Sequence, residues 1–562
     1  EDIETFSVMK DASATAMYGA RGANGVILVT TKKGEEGSVY ASARYETVFS
    51  MPTKEIDVVD PINYMRMYNQ ALLARDPLAT PKYSVERINR TASGKYPSWV
   101  YPSNDWYKIM FKDYNTNHHL GVNIRGGGKV IQYYASVNYN RDMGMLKTDK
   151  LNDFDCNITN NQTSFRANLN IDLNAGIKLV INSSATLDKY HGPLTDVSQA
   201  YQLAFAASPV DFAPTYPGDD TYNWEHIRFG GTAANQRNPY MSLQMGYNQR
   251  TRYATSNRAE YIQNLSRLVK GLEVRASISF VQSGYYMTSF ATMPFRYALS
   301  GYDFETGKHT LQALNPEQAR RTLSVAQDMS TTDTRVTYEG RLLHTAAWGD
   351  HQTSLTAVVQ AQEQTYTPIS EVLEGMPRRN LTFSMRGSYG FKDRYFIESS
   401  FGYNGSERFA KKNRMGFFPA GGLAWLVSSE PFMSSTANWL PFLKLRLSYG
   451  KVGNDGIINK PRFVFLPVVE QPLELAYKDP TPFSTQGIQR FRVSYYPNEN
   501  IKWEIAEQVN LGLEAKLFNG VVEFTVDAYQ EIRHNILSYR TTIPSAMGVE
   551  LSPLDNIGKA RS

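Results

Sequence analysis

The side chains best suited to chemistry in this chain are aromatic. Trp99, Tyr101, Trp106, Tyr107, Tyr216, Tyr222 and Trp224 fall in two long stretches that carry no regular apolar pattern. A flat ring stacks on the C–H edges of a sugar, and the polar tips of Tyr and Trp hydrogen-bond its hydroxyls. These residues are candidate ligand contacts; the alternative is that they pack the loops together or meet a covering partner. Asp219 and Asp220 are neighbouring carboxylates in the second stretch and are the candidates for a loop calcium ion. No other cofactor is expected.

Other motifs carry less. GARGANG at 19–25 and RGGGK at 125–129 have the glycines of a phosphate loop, but neither continues as GxxxxGK with Ser or Thr. Turn glycines are the default for both. His118 and His119 are adjacent, so in a strand they face opposite sides and do not share a metal easily. No nucleophile–base spacing stands out, and the chain is not read as an enzyme.

The elements that position these residues are strands. Ile131, Tyr133, Ala135, Val137 and Tyr139 alternate with polar or aromatic partners, and Phe165, Ala167, Leu169, Ile171 and Leu173 alternate with Arg166, Asn168, Asn170, Asp172 and Asn174. Similar alternation runs through 179–188, 272–280, 355–362, 443–450 and 509–517. Strict alternation over about ten residues means one apolar and one wet face. Strands of soluble folds run about 5–6 residues, whereas a tilted membrane strand needs about 9–11. Charges sit in mid-strand on the wet parity: Arg166, Asp172, Arg275, Glu398, Arg446 and Glu514. A polar lumen accepts them; lipid does not.

About fifteen candidate strands follow residue 37, joined mostly by alternating short and long connections, as in a membrane barrel meander. Short turns are expected at 126–129, 175–177, 270–271, 349–350, 391–393 and 518–520. Long connections cover 51–115, 141–162, 190–250, 288–331 and 451–500. The stretch 427–441 is of moderate length on the short side and breaks the pattern. A soluble sandwich has no reason to sort its loops this way.

Composition agrees. The chain has 562 residues, 42% hydrophobic and 20% charged, with 12% aromatics and 36 Tyr. Disorder is excluded by that balance. The mean hydropathy is −0.42 and no apolar run of about 18 residues is present, which excludes a helical membrane protein but not a barrel. The net charge of +5 is slight and spread out, so nucleic acid is not expected. Cys156 stands alone and forms no internal disulfide. No signal peptide precedes Glu1, which suggests processing or a fragment.

The first 34 residues are the most specific. Residues 3–8 alternate as a short strand, 11–18 suit a helical turn, Gly19, Gly22 and Gly25 permit positive φ, and Val26–Thr31 reads as a buried strand. The wording KDASATAMYGARGANGVILVTTKKG closely resembles the end of the plug in TonB-dependent transporters, in particular the SusC/RagA branch. Lys10, Asp11, Tyr18, Gly19, Arg21, Gly22 and Gly25 carry that signature. YYASVNYNRDMGMLK, RYFIESSFGYNGSERFAKKNRMGFFPAGGLAWLVSSEPFM, LKLRLSYGKVGNDGI and IKWEIAEQVNLGLEAKLFNGVVEFTVDAYQEIRHNIL resemble later segments of the same family.

The resemblance implies an all-β membrane protein: the C-terminal end of a plug domain over 1–37, then a large antiparallel transmembrane β-barrel over 38–562. The family barrel has 22 strands, so about fifteen leave it incomplete at its C-terminus, and the TonB box is absent. It further implies TonB-dependent import of an oligomeric nutrient across the Gram-negative outer membrane, a glycan in preference to a peptide. The implied partners are a SusD-like surface lipoprotein, the TonB complex acting through the missing N-terminal segment, the oligosaccharide or peptide ligand, and outer-membrane lipid. The rival readings are a secreted β-rich glycan-binding or adhesin-like protein, and a β-sandwich glycan hydrolase, which needs a carboxylate pair at a defined separation.

Overall fold

The computed structural model describes residues 2–9, 25–54, 57–147, 152–233, 238–369, 372–456, 463–474, 489–548 and 552–562. A hairpin comes first. β1 (Ile3–Met9) pairs antiparallel with β2 (Val26–Thr31), with Phe6 opposite Val29. Gly25 enters β2 at φ +90°, the positive φ expected of it. The expectation that Val26–Thr31 is buried is corrected: Ile27 is 69% and Val29 49% exposed, because two strands alone supply no second layer to cover their apolar face. The helical turn at 11–18, and with it Lys10, Asp11, Tyr18, Gly19, Arg21 and Gly22, lies outside the described residues.

Sixteen strands then form one antiparallel sheet whose spatial order follows the chain. The first eight are β3 (Gly37–Ser50), β4 (Asn115–Gly127), β5 (Ile131–Met143), β6 (Thr159–Asn174), β7 (Ile177–Pro193), β8 (Gly246–Asn264), β9 (Leu272–Met293) and β10 (Arg320–Trp348). The others are β11 (His351–Thr367), β12 (Arg378–Phe391), β13 (Tyr395–Ser406), β14 (Met415–Leu426), β15 (Phe442–Asn454), β16 (Glu504–Leu517), β17 (Val522–Tyr539) and β18 (Leu554–Arg561). No described helix is long and apolar enough to cross a membrane.

The two faces of the wall follow the expected parity. Ile181, Ala259, Ile278, Tyr338, Ala361 and Leu381 lie opposite one another across six strands. They form an outward row in which Tyr338 is 57% and Leu381 52% exposed, an apolar band that suits contact with lipid. One residue along, the inward row reads Glu260, Ser277, Glu339, Gln360 and Thr382. A one-residue slip would exchange these rows, so burial in lipid fixes the register.

The outward face also shows where the membrane ends. On β10 it runs Trp348, Ala346, His344, Leu342, Gly340, Tyr338 and Val336, then turns polar at Thr334, Thr332, Ser330 and Asp328. Paired β9 changes beside it, from Phe280 opposite Val336 to Gln282 opposite Thr334. At about 3.4 Å per residue and a tilt of about 45°, Val336–Trp348 rises roughly 30 Å, the thickness of a hydrocarbon core. β10 is 29 residues long and continues well past that belt.

Connections sort as expected. Strands join through tight turns at one end, such as Gly349–Asp350, where Gly349 has φ +52°. The moderate stretch 427–441 lies at this end and is filled by two 3-10 segments, Val427–Ser429 and Pro431–Thr436. Residues 51–114, 194–245, 294–319 and 455–503 connect strands at the other end. Their described residues include helices Pro61–Arg75, Val85–Ser93 and Val197–Ala206, with short strands at Arg296–Tyr302 and His309–Ala313.

Candidate ligand face: the loop layer and the lumen wall

The long loops pack on one another. Asp60 caps helix Pro61–Arg75, accepting from the Ile62 N–H at 2.9 Å. Met65, Tyr83 and Ile88 of the first loop form a buried cluster with Val210 of the second. Lys82 Nζ lies 2.8 Å from Asp211 Oδ2, and the Tyr83 hydroxyl donates to Asp211 Oδ1 at 2.9 Å. Burial and the neighbouring carboxylate push that hydroxyl up to about 12. A second cluster holds Trp106, Met110, Phe111, Leu146, Ala200, Phe212 and Leu243.

The loop aromatics divide by position. Trp106 is 3% exposed and its Nε1 donates to the Ser208 carbonyl at 3.0 Å. Tyr216 is 6% exposed and packs with Ala213, Tyr297 and Leu311. These two hold the loops together, the alternative stated for them. Tyr107 stacks on Phe111 with ring centres 4.9 Å apart. Trp99 is half-buried against Tyr302 and His309. The Tyr101 hydroxyl accepts from Arg90 at 2.9 Å, and Tyr222 sets its ring 5.0 Å from Tyr297. Trp224 is 41% exposed and lies over the His226 ring at 3.4 Å. Burial lowers the His226 pKa, and its Nε2 sits 2.8 Å from the Tyr297 hydroxyl.

The two loop carboxylates face different partners. Asp219 accepts from the backbone N–H groups of Leu311 and Tyr222 at 2.6 Å and of Thr221 at 3.0 Å. Burial works against its ionised form, yet these donors hold its pKa below the ordinary carboxylate value. The Leu311 bond ties the 194–245 loop to the 294–319 loop. Asp220 points to Lys308 at 3.4 Å. Among the described residues no group of three or more His, Cys, Asp or Glu side chains is placed to hold a metal ion. His118 meets Tyr45 at 2.8 Å and His119 meets Asp142 at 3.1 Å, on opposite faces of β4.

The mid-strand charges are paired along the inner wall. Arg446 lies 3.0 Å from Glu514 and 2.7 Å from Asp527. Lys178 is 3.2 Å from Asp172, and Arg386 pairs with Glu398 and Arg275 with Glu273. The N-terminal hairpin docks on this face: Asp2 accepts from the Tyr134 hydroxyl at 2.8 Å and pairs with Arg166 at 3.2 Å. Asn168 Nδ2 donates to the Lys32 carbonyl at 2.6 Å. Higher on the wall, Asp188, Arg252, Tyr285, Asp333 and Tyr366 border a groove of about 430 Å³. All five lie beyond the apolar belt, where period two fades, and of them the alternating stretches read in the sequence reached only Asp188.

A TonB-dependent receptor-like β-barrel family model matches residues 102–562. The TonB-dependent receptor SusC of Bacteroides thetaiotaomicron is 27% identical over 99% of this chain and 53% of its own length. TonB-dependent receptor P3 of Formosa agariphila is 26% identical over 100% of the chain and 51% of its own length. The chain therefore spans about half the length of the curated relatives it matches. The RagAB peptide transporter superposes with a TM-score of 0.72 at 19% identity, covering 100% of this chain and 62% of that one. The siderophore receptor PirA from Acinetobacter baumannii shares the fold at TM-score 0.52 and 10% identity, over 100% of this chain and 64% of that one. The chain belongs to the TonB-dependent receptor-like β-barrel family, it is similar to SusC in sequence and to RagAB in fold, and its sheet is the wall of an outer-membrane barrel.

Proposed function

We propose that the protein imports an oligomeric nutrient across the Gram-negative outer membrane, a glycan in preference to a peptide, with energy delivered through TonB. Residues 1–37 serve as the end of the plug and 38–562 as the wall. A SusD-like lipoprotein covers the loop layer, and TonB acts on a segment N-terminal to the hairpin. No chemistry on the nutrient is assigned to the chain.

The observation that carries the glycan reading is the loop layer itself. Its core is closed by Trp106 and Tyr216, which leaves Trp224, Trp99, Tyr101 and Tyr222 nearer the surface, the arrangement that suits sugar rings. Peptide uptake is the second reading, since the RagAB peptide transporter has the same fold. The test is uptake by cells carrying or lacking the full-length gene, fed labelled oligosaccharides or labelled peptides, with and without TonB. Gene- and TonB-dependent saccharide entry is expected. Uptake indifferent to the gene, or a full-length product found soluble in the periplasm, sinks the proposal.

A further inference from the structure

We propose, resting on the glycan reading above, that the inner wall carries a saccharide subsite at its mouth, built by Asp188, Arg252, Tyr285, Asp333 and Tyr366. The register sets these residues together. Gln162, Asp188, Arg252 and Tyr285 lie opposite one another across β6, β7, β8 and β9. In the next inward row, Ser283 on β9, Asp333 on β10 and Tyr366 on β11 are likewise opposite. Both rows have the parity of Arg166, which meets the N-terminal hairpin, so they face the lumen. Both stand above the Phe280–Val336 edge of the apolar belt, on the side of the long loops.

The chemistry of the groove is that of a polyol site. Its volume of about 430 Å³ falls within the roughly 300–1,000 Å³ of small-molecule sites. Asp188 Oδ1 is buried with no hydrogen-bond partner. Such an oxygen is costly unless a donor meets it. Asp333 is held in place by Gln364, whose Nε2 lies 2.9 and 2.7 Å from its two oxygens. The Arg252 guanidinium lies 5.4 Å from the centre of the Tyr285 ring, on the strand position that stands opposite Asp188. Tyr366 is 46% exposed and offers a flat face across the groove. A sugar ring donates and accepts through neighbouring hydroxyls. It can therefore donate to Asp188 and accept from Arg252 while its C–H edge rests on a tyrosine. A peptide has no comparable run of hydroxyls, and its apolar side chains would meet two carboxylates here.

The test uses the full-length protein purified in detergent. Binding is measured by calorimetry against linear gluco-, xylo-, manno- and fructo-oligosaccharides and against a mixed oligopeptide pool. Asp188→Asn, Tyr285→Ala and Tyr366→Ala are each expected to weaken saccharide binding about tenfold, as loss of one hydrogen bond or stacking face does. Tyr286→Ala, on the outward face of β9, should bind as wild type. Heat-modifiable migration screens folding, and the exposed Tyr366 keeps the test decisive if a more buried variant misfolds. Saccharide binding unchanged in all three variants overturns the subsite and leaves the import proposal standing. Binding of the peptide pool alone, or of no saccharide, overturns the subsite and the glycan reading together.

Discussion

The Asp2 carboxylate sits 3.2 Å from the Arg166 Nε on β6, and this pair fastens the N-terminal hairpin to the inner wall. The Tyr134 hydroxyl completes the contact. Arg166→Ala leaves Asp2 with one donor in a half-buried place, a loss of about 1–3 kcal/mol at that contact. Hydrogen exchange over 2–9 and 26–31 should quicken in the variant while the wall strands keep their protection. Unchanged exchange would show that the hairpin is held by other means.

Neighbouring residues on β15 should respond oppositely to the same charge. Leu447 faces outward and is 44% exposed, so Leu447→Arg places a cation in lipid at about 2–4 kcal/mol. Ser448 faces the lumen beside Asn510, and Ser448→Arg should leave stability within about 0.5 kcal/mol. Temperature-dependent gel migration of the full-length protein in membranes compares the two. Equal loss in both refutes the assignment of faces.

Arg446 bridges Glu514 and Asp527. Arg446→Leu leaves two carboxylates facing each other on the lumen wall. The partial exposure of all three groups screens the loss to about 1 kcal/mol. The double variant with Glu514→Gln should recover part of it, read from the same melting shift; no recovery means the pair is not coupled.

Asp219 makes loop stability depend on pH. Its folded-state pKa lies below the ordinary 3.8, so its contribution is present above the unfolded value and is lost as pH falls through the folded one. Protection of the Leu311 and Tyr222 amides, corrected for intrinsic exchange, should fall as pH drops through and below that range. Asp219→Asn should remove this dependence, and a variant that retains it points to another titrating group.

The buried and exposed tryptophans should separate stability from capture. Trp106→Ala opens the loop core and costs about 3–5 kcal/mol locally, seen as faster proteolysis of the long loops in intact cells. Trp224→Ala should leave proteolysis unchanged and weaken saccharide capture. Loss of capture in neither variant removes the loop aromatics from the binding face.

The wall was legible because lipid imposes a period of two that no loop can mimic. Ile131–Tyr139 and Leu355–Gln362 show it in sequence and sit in β5 and β11, and the mid-strand charges told the lumen side. The loop layer was not legible in the same way. Trp106 and Trp224 stand in equally patternless stretches, yet one is closed over by Ser208, 102 positions away, and the other is open. Only tertiary contacts separate them. Asp60–Pro61 is a local helix start, an N-cap before a proline at the first turn, but its helix packs on other loops rather than a regular core. Val26–Thr31 misled for a similar reason: an apolar run states what a strand would prefer to meet, not what stands beside it.

The polar stretch of β10 beyond Val336 has one more consequence. Thr334, Thr332, Ser330 and Asp328 carry the hydrogen-bonded ladder out of the bilayer with water on both sides, so the barrel stands above the cell as a parapet rather than ending at the lipid. An antibody or a protease approaching the cell meets this sheet, including Arg320 and Arg321, before any lipid. Substitutions there obey the rules of a soluble protein, while ten residues further along the same strand they obey those of a membrane.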